Sequence, residues 1–69
     1  MFWWFERNGA FLRFETRNVP DGFELRIIQA DGSDRVERFA DSTQLAKRQT
    51  DLEATLAADG WTGPHTWLL

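Results

Sequence analysis

Aromatic rings interleaved with arginines stand out in this chain, and that mixture of side chains suits two kinds of chemistry. Phe2 and Trp4 stand two residues apart and so share one face of an expected strand, as do Phe11 and Arg13, and Arg26 and Ile28 farther on. Aromatic rings stack on unpaired nucleobases while guanidinium groups neutralise phosphates. The same rings bury well against a second protein, because contiguous exposed apolar area marks contact sites. Phe2, Trp4, Phe11, Arg13, Arg26 and Ile28 are therefore the candidate interaction surface. Trp4 and Arg13 fall opposite each other in the expected hairpin, a placement that suits a cation–π contact.

No other constellation carries chemistry. His65 is the single histidine and has no second ligand or orienting acid at motif spacing. Ser33, Ser42, Thr50 and Thr62 show no nucleophile motif, and the serines read as turn and cap residues. The glycines of Asn8-Gly9 and Asp31-Gly32, and Gly60, are explained by turns and a helix end, not by a phosphate cradle. The chain contains no cysteine, so no disulfide and no Cys-based metal site is expected. We expect a binding protein, not an enzyme, with no cofactor.

Charge narrows the partners. Of the net −3, residues 1–40 carry six Arg against seven Asp/Glu, and residues 41–69 carry Lys47 and Arg48 against Asp41, Asp51, Glu53 and Asp59. Neither part is a basic arm, which disfavours tight nucleic-acid binding. No run reaches the length of a membrane span, and Glu6 interrupts the apolar start that a signal peptide would need. A cytoplasmic protein with no membrane partner is the expectation. A chain of 69 residues makes one small domain, burying about 60% of its unfolded surface. Its stability rests on good packing or on a second chain, so a homodimer or other protein partner is expected.

The elements that position these residues follow from turn chemistry and periodicity. Asn8-Gly9 between two alternating runs signals a type I′ hairpin, with strands at about residues 2–7 and 10–17. Its register pairs Trp3 with Phe14 and Phe5 with Leu12 on one face, and Trp4 with Arg13 and Glu6 with Phe11 on the other. Asn18-Val19-Pro20-Asp21-Gly22 turns the chain into a strand at about 23–29. An even-numbered loop there keeps Phe23, Leu25 and Ile27 on the face of Leu12 and Phe14. Asp31-Gly32 signals a further hairpin. As a two-residue turn it sets Ile27 against Val36 and Arg26 against Glu37, with an Arg26–Glu37 salt bridge and Phe39 on the outer face. The fourth strand, about 35–39, is charged and suits an edge.

Asp41 is an N-cap with Gln44 three residues on. Leu45, Gln49, Leu52 and Leu56 form a narrow helical stripe with Leu52 at its middle. Gly60 is the expected C′ residue, setting Trp61 against Leu56 in a Schellman ending. Asp59 opposes the helix dipole there.

The fold class is therefore α+β: a four-stranded antiparallel β-meander (ββββα) with one C-terminal helix packed on one sheet face. Residues 1–61 form the domain and 62–69 an apolar tail containing Trp67, Leu68 and Leu69. One helix covers one sheet face, so the other is left open for self-association or, as the alternative, for single-stranded nucleic acid. Four strands followed by a helix resembles the order of the single-stranded nucleic-acid-binding PUR-type repeat. No motif corresponds residue by residue, so the resemblance carries no binding residues.

Overall fold

The computed structural model describes residues 1–66. Along the chain run β1 (Phe2–Arg7), β2 (Ala10–Val19), β3 (Gly22–Ile28), β4 (Asp34–Phe39), α1 (Ser42–Ala58) and β5 (Thr62–His65). The strands make one antiparallel sheet in the order β4-β3-β2-β1-β5. The class is α+β, but the sheet has five strands, where four are predicted. The additional strand is cut from the expected tail. Trp67, Leu68 and Leu69 lie outside the described residues.

The first hairpin has the predicted register, with Trp3 opposite Phe14, Phe5 opposite Leu12 and Trp4 opposite Arg13. Asn8 and Gly9 take φ of 51° and 82°, the two positive angles a type I′ turn requires. The second hairpin closes through Pro20-Asp21, with Val19 opposite Gly22. That two-residue loop keeps Phe14 opposite Ile27 and Thr16 opposite Leu25. Phe23, Leu25 and Ile27 thus share the face of Leu12 and Phe14.

The third hairpin departs from expectation. Gly32 N–H donates to the Gln29 carbonyl at 2.9 Å and Gln29 N–H to the Ser33 carbonyl at 2.8 Å. The loop is therefore Ala30-Asp31-Gly32, three residues long, with Gly32 at φ 90°. This is a type I turn extended by a left-handed glycine. Asp31 holds it by accepting from Ser33 N–H at 2.9 Å and Ser33 Oγ at 2.6 Å. One extra residue flips every side chain of β4. Arg26 now faces Val36, Ile27 faces Arg35 and Leu25 faces Glu37. Val36, expected in the core, lies on the outer face and is exposed. Phe39, expected outside, packs against the core. The expected Arg26–Glu37 bridge is replaced by Arg26–Asp34 at 2.6 Å.

The core consists of Trp3, Phe5, Phe14, Leu25, Ile27 and Leu45, with Leu12, Phe23, Phe39, Leu52, Leu56 and Trp61 packed around it. Within the helical stripe it is Leu45, not the central Leu52, that is buried. The helix ends are as the sequence indicates. Asp41 accepts from Gln44 N–H at 2.9 Å. Trp61 N–H reaches the Leu56 carbonyl at 3.0 Å and Gly60 N–H the Ala57 carbonyl at 3.2 Å, the two bonds of a Schellman motif. Asp59 is compensated by Arg7, whose Nη1 donates to the Asp59 carboxylate at 2.8 Å and to its backbone carbonyl at 2.9 Å. Arg7 also lies 4.8 Å from the centre of the Trp61 ring. The cation–π contact seen among the described residues is this one, not the expected Trp4–Arg13 pair.

Where α1 passes β4 the contact is ionic. Arg48 donates to both Glu37 carboxylate oxygens, at 2.8 and 3.0 Å, and Arg35 stands 3.2 Å away. Hydrogen bonding from Arg48 holds the Glu37 carboxyl below the usual glutamate range, against the opposing pull of burial. A folded-state value below the unfolded one stabilises the fold above the ordinary glutamate pKa of about 4.3. That contribution fades as pH falls through the lowered value. Glu37→Gln is thus expected to be less stable than the wild type at pH 7, by a margin that shrinks at a pH well below the ordinary glutamate range. Thermal unfolding at both values checks this. A constant difference would remove the ion pair from the account.

Candidate functional site

The face away from α1 divides into an aromatic half and an ionic half, and register decides which residue joins which. Phe2, Trp4 and Glu6 project from β1 on this side, opposite Glu15, Arg13 and Phe11 of β2. Phe2, Trp4, Phe11 and Arg13 line one open groove of about 220 Å³. Phe2 and Trp4 tilt together with ring centres 6.1 Å apart. Phe11 is 42% exposed, high for a residue of its size on a sheet face. Ile28 sits across from Arg13 and lines a neighbouring depression with Phe11 and Arg13.

The ionic half occupies β2, β3 and β4. Arg17, Glu24 and Arg38 form one row across the three strands. Glu24 is only 6% exposed. Arg17 reaches it at 2.8 Å and Arg38 at 3.3 Å. The hydrogen bond from Arg17 is the main reason its carboxyl stays below the usual glutamate range. Arg26 gives two hydrogen bonds to Asp34, at 3.0 and 2.6 Å. These bonds hold the guanidinium charged, and Glu15 adds to that field.

Of the six candidate residues, the structure brings Phe2, Trp4, Phe11 and Arg13 into one groove and sets Ile28 beside it. It places Arg26 apart, committed to Asp34 in the ionic half. Sequence reasoning did not include Glu6 and His65. The hairpin register already placed Glu6 on this face, beside Phe11. His65 arrives only through β5, which sets it opposite Trp4. Its ring lies 5.7 Å from that of Trp4, and Thr62 Oγ1 is 3.5 Å from its Nε2. That setting extends the aromatic row, and among the described residues no carboxylate orients the imidazole.

The described charges of this face balance: Arg13, Arg17, Arg26 and Arg38 against Glu6, Glu15, Glu24 and Asp34. Among the described residues no three His, Cys, Asp or Glu side chains gather where they could hold a metal, and no helix is long and apolar enough to cross a membrane. No family model, curated protein or solved structure matches this chain.

Proposed function

We propose that this chain is a small cytoplasmic binding protein that self-associates through the aromatic half of its open sheet face. The exposed Phe11 ring carries this reading. It stands in a groove walled by Phe2, Trp4 and Arg13, on a face where apolar side chains are gathered instead of scattered. An aromatic residue of this kind is the usual anchor of a protein contact. Charge balance on the face also fits a partner that carries both signs, as a second copy does.

The rival reading, single-stranded nucleic acid, needs arginines free for phosphate. Arg17, Arg26 and Arg38 are each within ion-pair distance of a carboxylate. Among the described residues only Arg13 is left beside the aromatic rings of this face, too few cations for an electrostatic footprint.

Phe11→Glu separates the two. A charge placed in a desolvated contact is costly, whereas at an exposed position it leaves the fold intact. The expected result is a folded monomer by light scattering, with unchanged helical circular dichroism, from a wild type that is dimeric. A monomeric wild type that binds single-stranded oligonucleotides at low salt, and releases them as salt rises, would replace self-association with the rival.

A further inference from the structure

We infer, resting on the self-association above, that the dimer is two-fold symmetric and that Glu6 of each copy pairs with Arg13 of the other. The charges on the open face point to this arrangement. Arg17 and Arg38 share the Glu24 carboxylate within a copy, and Arg26 pairs with Asp34. Glu15 lies in the field of Arg26. Glu6 and Arg13 have no ion pair among the described residues. They are also the two charges that border the aromatic rings, Glu6 opposite Phe11 and Arg13 opposite Trp4.

The positions of these four residues suit a two-fold contact. On β1 and β2 they form a four-cornered unit, with Glu6 and Arg13 on one diagonal and Trp4 and Phe11 on the other. A two-fold axis lying in the interface and bisecting the charged diagonal carries Glu6 onto Arg13 of the second copy, and Arg13 onto its Glu6. The same axis runs close to the aromatic diagonal, so Phe11 and Trp4 each meet their own counterparts. An isologous interface requires this reciprocity: if one residue meets another across it, the second meets the first.

Opposite signs at the two ends make the contact attractive twice over, and two like charges would make it repulsive twice. Desolvating Arg13 without a counter-charge is costly, and Glu6 supplies that charge without any group from outside the pair. Nucleic acid does not meet this condition, because a phosphate drawn to Arg13 is repelled by Glu6.

Sedimentation equilibrium on four proteins tests the pairing: wild type, Arg13→Glu, Glu6→Arg, and the double reversal. Both sites are exposed, and circular dichroism confirms that each variant is folded. Each single reversal sets like charges together at both ends and is expected to weaken the dimer about tenfold or more. The double reversal restores opposite charges and is expected to return within about threefold of the wild type, the signature of direct coupling. A dimeric wild type that neither single reversal weakens would overturn the pairing and leave self-association standing. So would single reversals that weaken the dimer without rescue in the double. A wild type that is monomeric at millimolar concentration would overturn self-association, and the pairing with it.

Discussion

Phe14→Ala is expected to unfold most of the population at room temperature or to leave it on the edge of unfolding. Phe14 is 1% exposed. It stacks on Trp3 with centres 5.5 Å apart and meets the Phe5 ring edge-on at 5.7 Å. Truncating a buried phenylalanine costs about 3–5 kcal/mol, because apolar burial is lost and a cavity remains. At about 0.05–0.15 kcal/mol per residue, a chain of 69 residues has a total stability of only about 3–10 kcal/mol. Urea denaturation followed by tryptophan fluorescence measures the loss. Val36→Ala is the control. It removes a side chain 46% exposed on the outer face and is expected to change stability by less than about 0.5 kcal/mol. Equal losses in the two variants would mean that β4 is in the other register.

Gly22→Ala is expected to cost about 2–5 kcal/mol, far more than adding one methyl group suggests. Gly22 has φ 141°, and a Cβ there would run into the Phe39 carbonyl oxygen, with the Ala40 carbonyl oxygen at 3.1 Å. Positive φ alone costs a side chain about 1–2 kcal/mol, and overpacking about 1–3 more. The obstruction is backbone, so no rotamer change relieves it, and the end of β4 has to move away from β3. Gly32→Ala provides the comparison, because Gly32 has φ 90° but nothing within 4 Å of the added atom. Only the conformational part of the cost is expected there. Matching midpoints for the two variants would contradict the close approach of β4 to Gly22.

A feature of this fold is legible in the sequence where a specific residue encodes it. Asn8-Gly9 admits one hairpin geometry well, so the first register and the division of Phe5 and Leu12 from Trp4 and Arg13 were legible. Asp41, Gly60 and Trp61 each satisfy a specific unpaired backbone group, so both helix ends were legible as well. Asp31-Gly32 is ambiguous, because the dipeptide suits a two-residue turn and also the last two positions of a three-residue loop. The apolar pattern of β4 could not decide, since Val36 and Phe39 are an odd number of residues apart and fall on opposite faces. The shorter loop exchanges them and puts Glu37 on the outer face, whereas the longer one brings it to Arg48. β5 escaped notice because Thr62-Gly63-Pro64-His65 has no alternation and reads as a chain break. An edge strand tolerates proline, since one of its sides needs no hydrogen bonds. Gly63 is required there because a Cβ would lie 2.7 Å from the Phe5 ring. For the candidate site, four of the six chosen residues share a groove. Arg26 lies on the expected face, but its partner, Asp34 instead of Glu37, depends on the β4 register, and the place of His65 beside Trp4 depends on β5.

Self-association through the aromatic half of the sheet is tested most directly by isotope-filtered nuclear Overhauser spectroscopy on a mixture of labelled and unlabelled chains. The filter retains only contacts between different copies, and a protein of this size gives resolved ring signals. The account predicts intermolecular contacts from the Phe11 ring to aromatic protons of Phe11 and Trp4 in the other copy, with none from Leu45 or Leu52. Intermolecular contacts confined to the helix side, or a complete absence of them at millimolar concentration, would contradict it.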